Sequence, residues 1–182
     1  MALSYSLQFP ADLAGMVLLG GMAYETKEGA AMPGCYAVRA PIFGNTMAHF
    51  YRATGRRWIR KELTKAFAPD PAPPLYVDNY IAAMFKPSEL RAAASDEITV
   101  NSTLRKISPF YGAIKVPLVI VVGDQDQIVP AKKQSYVLHK AIAHSKLIVL
   151  ANSGHQLHFT RPLEVLSAIE TALAVQMDLG IN

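Results

Sequence analysis

The chain has 182 residues, 51% of them apolar, with 18 basic against 14 acidic side chains and a formal charge of +4. That apolar content allows a sizeable core and excludes intrinsic disorder, while the small and dispersed positive excess gives little pull toward an anionic partner. A single cysteine, Cys35, excludes an internal disulfide framework and fits a reducing compartment, so a cytoplasmic location is expected.

Residues 2–9 read as the end of a helix stopped by Pro10. They show neither the basic start nor the cleavage site of a signal peptide, and no apolar run in the chain reaches about 18 residues, so no spanning helix is expected. A short, fully apolar strand follows over 15–19, of the kind buried in parallel sheets. From Tyr24 to about Tyr111 strand-like runs disappear. Helices are expected there over 46–53, 56–67, 75–85 and 88–106, punctuated by Pro33, Pro41, the proline-rich stretch from Pro69 to Pro74, and Pro87. The last of them has Ser88 as N-cap and Glu89 in its first turn. Beyond Tyr111 come strand 117–122, helix 131–142, strand 146–150 and helix 162–177. Apolar strands alternating with helices give right-handed crossovers and a parallel sheet, so the fold class is α/β. The expected organisation is a partial core from 1–24 and 111–182, interrupted by an all-helical cap over 25–110. An insertion after a strand's C-terminal end lies over the ligand-binding side of an open α/β sheet.

Two strands run into side chains suited to proton chemistry. The run from Val116 to Val122 leads into Gly123-Asp124-Gln125-Asp126, and the run from Lys146 to Leu150 leads into Asn152-Ser153-Gly154-His155. A carboxylate and an imidazole so placed are two parts of a nucleophile–His–Asp triad, in which the carboxylate fixes the tautomer and stabilises the imidazolium. Asp124 or Asp126 can fill the acid's place, the other bonding turn amides. His49, His139 and His144 lie on helices without a partner pattern and read as structural, and His158 as packed or solvated.

These segments resemble the C-terminal part of the α/β-hydrolase superfamily. Residues from Phe9 to Leu19 resemble the helix end and strand that follow the nucleophile elbow, and a helical cap comes next, as in the family. Val116 to Pro130 resembles its acid segment (Val-Pro, then Gly-x-x-Asp-x-x-Val-Pro), and Gly154 to Pro162 its histidine segment. The resemblance implies Asp126 as the acid, three residues after Gly123, with His155 as the base. Neither metal nor organic cofactor is expected. It breaks at the nucleophile, because no Gly-x-Ser-x-Gly string or Asp or Cys version of it occurs. Ser4 and Ser6 lie within the first helix and lack flanking glycines. The elbow is therefore expected a few residues before Met1, and the chain is expected to be a fragment or one half of a split enzyme that needs an N-terminal partner. The alternative is a non-catalytic binding or accessory protein. In the intact form, the resemblance implies hydrolysis of an ester or similar bond in a small apolar substrate.

The cap sequence is rich in aromatic and apolar side chains, among them Phe50, Tyr51, Trp58, Tyr76, Tyr80, Met84 and Phe85. Packing accounts for such a set, with Trp58, Tyr76 and Tyr80 as the candidate substrate contacts. Epoxide hydrolases of the superfamily use cap tyrosines as donors, which adds Tyr111 to Tyr76 and Tyr80 as candidates for that role. The basic run from Arg56 to Lys61 reads as a solvated helix start with Trp58 and Ile59 turned inward, so contact with a membrane surface is not expected. Nucleic-acid binding has no motif behind it, and Gly20-Gly21 does not make a phosphate loop.

Overall fold

The computed structural model describes residues 1–26, 33–40 and 44–179; Pro41, one of the expected breaks, lies outside them. Two compact units are present. A sheet unit comprises Met1–Tyr24, Lys65–Asp70 and Lys106–Asn182, and a helical unit comprises Glu25–Thr64 and Pro71–Arg105.

In the sheet unit, β1 (Met16–Leu19), β2 (Leu118–Gly123) and β3 (Lys146–Leu150) form a parallel sheet in the order β1-β2-β3. Met16 lies opposite Leu118, and Val119 opposite Lys146. The central strand β2, Leu-Val-Ile-Val-Val-Gly, is buried along its whole length, as a strand covered on both faces must be. Strand alternation sends its side chains to two layers. Leu118, Ile120 and Val122 join Leu3 of α1 (Ala2–Gln8), Tyr111, and Leu138 of α7 (Ser135–Ala141). Val119 and Val121 join Leu157 of α8 (Leu157–Thr160) and Ala168 and Ala172 of α9 (Pro162–Leu179). Helices on both faces of a parallel sheet define an α/β protein.

The helix expected over 131–142 is broken. A 3₁₀ turn at Ala131–Lys133 precedes α7, and Gln134 lies between them with non-helical dihedrals. Its fully buried side chain explains the break. The Gln134 amide oxygen accepts the N–H groups of Ala23 and Tyr24, and its nitrogen donates to the Tyr24 carbonyl. The buried Tyr111 hydroxyl donates to the Ala23 carbonyl at 2.6 Å. The chain leaving β1 is thus tied down by two side chains more than eighty residues away.

The helical unit contains α2 (Pro33–Arg39), which the sequence pattern did not indicate, α3 (Gly44–Thr54), most of α4 (Arg56–Phe67), α5 (Pro74–Met84) and most of α6 (Pro87–Ile107). Its core gathers Leu63, Val77, Ile81 and Phe85. Both α5 and α6 open on proline, which suits the first helical position because its fixed φ is helical and the missing N–H would be unpaired there. Pro87 therefore displaces Ser88 from the expected cap position, and the Ser88 hydroxyl donates to the neighbouring Glu89 carboxylate instead. Among the described residues no helix is long and apolar enough to cross a membrane.

Burial, and then the neighbouring Tyr24, raise the Tyr111 phenol above its ordinary value of 10.0. Its protonated form is favoured in the fold, so that contribution is whole below pH 10 and declines as the unfolded chain ionises above it. Tyr111→Phe should lower unfolding stability near pH 7 by about 1–3 kcal/mol through the unpaired Ala23 carbonyl. Urea denaturation should also show a shallower loss of stability above pH 10 than in the parent chain.

Candidate active site

The sheet's C-terminal edge carries the only carboxylate–imidazole bond among the described residues. Asp126 sits in the turn after β2, its side chain 2% exposed, and its carboxylate has both oxygens occupied. Oδ1 accepts the backbone N–H groups of Ile128 at 2.8 Å and Val129 at 2.9 Å. Oδ2 lies 2.8 Å from Nδ1 of His155. A carboxylate only accepts, so Nδ1 donates this bond, and in the neutral imidazole Nε2 then keeps its lone pair. Nε2 makes no hydrogen bond to a described residue, and the ring is one-quarter exposed.

Asp124 is placed differently, with its Oδ1 accepting the Ser153 N–H at 3.2 Å. Its own N–H donates to Leu150, and the Gln125 N–H to the Ser153 carbonyl, so the two loops are stitched together beside the dyad.

Gly20, just past β1, closes the third side. Its N–H continues the ladder to Val121, and its φ of +53° is one that L side chains rarely adopt. A Cβ there would lie 3.0 Å from Oδ2 of Asp126 and 3.1 Å from Nδ1 of His155. The sequence carried a signal, a glycine pair directly after an apolar strand, but gave no hint of what approaches it.

The histidine loop is also held from a distant part of the chain. The N–H groups of His155 and Gln156 both donate to the Ala66 carbonyl, at 3.0 and 3.1 Å. Ala66 is in the last turn of α4, where carbonyls lack intrahelical partners. Gly154 permits the approach, because a Cβ on it would collide with the Ala68 carbonyl. Fully buried Phe67 packs against Phe159, the rings tilted with centroids 5.7 Å apart. Arg161 donates to Asp70 at 3.0 Å and to the carbonyls of Thr160 and Asn152.

The remaining candidates are distributed as follows. Trp58, expected to turn inward with Ile59, is instead half exposed, and it lines a cavity of about 440 Å³ within the helical unit together with Cys35, Tyr51, Ile59, Phe85 and Leu90. Tyr80 lines a second cavity of about 320 Å³. Tyr76 and Tyr80 are ring neighbours at 6.0 Å, and burial, then Tyr80, raise the Tyr76 phenol. Tyr111 is committed to Ala23, so its hydroxyl is not available as a donor to substrate. Ser6 is buried in α1, donating to Leu3, and Ser4 accepts from Gln8; neither sits on a strand-to-helix turn. His139 contacts Ser145, His144 contacts the Val116 carbonyl, and His158 stacks near Phe159. No cluster of three metal-ligating side chains occurs among the described residues.

The family model for the alpha/beta hydrolase fold matches residues 1–162, and the chain belongs to that family. Among solved structures it resembles MGS-M2, an alpha/beta hydrolase enzyme from a Medee basin deep-sea metagenome library. The TM-score is 0.67 at 14% identity, covering 95% of this chain and 60% of that one. A thermophilic esterase from Thermogutta terrifontis gives 0.65 at 19% identity, covering 96% and 61%. Est816, described as an N-acyl homoserine lactone degrading enzyme, gives 0.63 at 19% identity, covering 93% and 62%. At such identities the likeness is one of fold. The chain spans about three fifths of the length of these structures. No curated protein matches it.

Gly20→Ala should strain the positive φ and press a methyl group onto the Asp126–His155 bond. The expected result is a loss of about 1–3 kcal/mol in urea unfolding, together with loss of the hydrogen-bonded Nδ1 proton signal of His155 in NMR spectra.

Proposed function

We propose that Asp126 and His155 are the acid and base of a nucleophile–His–Asp triad that hydrolyses an ester or similar bond in a small apolar substrate. The nucleophile and the oxyanion donors come from chain outside these 182 residues. The observation that carries this reading is the 2.8 Å bond from the imidazole to a buried carboxylate whose other oxygen is saturated by two amides. That arrangement leaves Nε2 of His155 as the acceptor for a nucleophile's proton. As the nucleophile adds to the acyl carbon, Nε2 takes its proton. The imidazolium, held by Asp126, returns that proton to the leaving alcohol as the acyl–oxygen bond breaks. A water then gives its proton to Nε2 and adds to the acyl carbon; the bond to the nucleophile breaks, the imidazolium returns the proton to the nucleophile, and the acid leaves. Two of the similar structures, a thermophilic esterase and an N-acyl homoserine lactone degrading enzyme, support ester-type chemistry.

The helical unit acts as the cap in this reading. Its apolar cavity beside Trp58 favours a hydrocarbon-rich substrate, and Tyr76 and Tyr80 are further candidate contacts. The need for more chain is supported by β1. Met16 and Gly20 turn their N–H groups toward β2, so the alternate residues Val17 and Leu19 present theirs to an edge that pairs with no strand among the described residues. A non-catalytic binding protein is the second reading, favoured by the lack of any Gly-x-Ser-x-Gly string in the sequence.

Tested alone, the 182-residue chain should not hydrolyse p-nitrophenyl butyrate above background; clear turnover abolished by His155→Ala would overturn the division of labour proposed here. In a form extended by in-frame upstream sequence bearing an elbow, His155→Ala should lower kcat by roughly 10⁶, the scale of triad knockouts in another enzyme. Full activity of that variant would remove His155 from the mechanism.

A further inference from the structure

The acid and the base are fixed by different means. Asp126 is held by its own turn, through amides two and three residues further on. His155 lies five residues beyond β3, in a loop, and a loop needs external support to present a side chain in one orientation. That support comes from Lys65–Asp70, a hexapeptide that belongs to the sheet unit although the chain on either side of it belongs to the helical unit.

We infer that Arg161 and Asp70 form a positioning pair for His155, clamping the end of α4 onto the histidine loop. The inference rests on the reading of His155 as the triad base. The guanidinium spans three acceptors: the Asp70 carboxylate at one end of the hexapeptide, the Asn152 carbonyl before His155, and the Thr160 carbonyl after it. Its planar fork can make these bonds together, which a lysine ammonium cannot do with the same geometry. The two side chains are 21% and 33% exposed, so the pair is partly shielded from solvent screening. Within the clamp, the Ala66 carbonyl takes the His155 and Gln156 amides, and Gly154 gives the Ala68 carbonyl room to approach. Displacement of the hexapeptide therefore frees the His155 backbone directly. The imidazole would then be held only by its Nδ1 bond, without the second constraint that fixes the direction of Nε2.

The test is NMR spectroscopy of the 182-residue chain, reading amide exchange at His155 and Gln156 and the Nδ1 proton of His155. Arg161→Ala and Asp70→Asn should each speed exchange at those two amides roughly tenfold or more and weaken the Nδ1 signal. Exchange at Val121 in the centre of β2 should stay at the parent rate. Arg161→Lys, which keeps the charge and loses the fork, should fall between parent and alanine variant. Asp70→Asn is the milder change and serves if Arg161→Ala does not fold. Unchanged amides and an unchanged Nδ1 signal in Asp70→Asn would overturn the inference, and so would acceleration at Val121 equal to that at His155. None of these signals requires turnover, so failure here leaves ester hydrolysis standing, and an inactive complete enzyme leaves the clamp standing.

Discussion

The buried Asp126 carboxylate is the constraint around which the sheet's C-terminal edge is organised. A charge removed from water is tolerated only when its lone pairs are taken up by donors, and here two amides and one imidazole N–H do so. Parallel register makes the meeting possible. Gly123 at the end of β2 lies opposite Leu150 at the end of β3, so the loops that follow leave the sheet side by side. The interior of β2 is wholly apolar. Polar chemistry can therefore gather only where the strands end.

Much of this was legible because its causes are local. Continuous apolar runs marked β2 and β3, and prolines punctuated the helices expected over 56–67 and 75–85, found at 56–67 and 74–84. The two chemistry-bearing segments were recognisable by their glycines and their order. Placement after the strand left Asp124 and Asp126 both open, since they lie in the same turn, and only the resemblance pointed to Asp126. The structure separates them by partner, Ser153 amide for one and imidazole for the other.

What was not legible depends on approaches between residues distant in the chain. The break before α7 follows from a buried glutamine bonded to Ala23 and Tyr24, and amphipathic spacing carries no trace of a partner more than a hundred positions earlier. The same holds for Gly20 against the dyad, and for Ala66 beneath His155. The residues from 65 to 70 read in sequence as a helix end and the start of a proline-rich connection. Nothing in that composition shows that a carbonyl there receives two amides from the histidine loop.

The same contrast has a physical consequence for how the dyad tolerates change. A carboxylate fixed by amides of its own turn keeps its geometry as long as that turn forms. The imidazole depends on a helix terminus contributed from another part of the chain, a glycine without a Cβ, and a guanidinium joining three segments. Sequence drift in residues 65–70 can therefore reach the imidazole while leaving the carboxylate in place. Among the described residues the hydrogen bonds to the Asp126 carboxylate come from Ile128, Val129 and His155, and none from residues 65–70. Within α4, the C-terminal turn meets the histidine loop through the Ala66 carbonyl, which accepts the amides of His155 and Gln156.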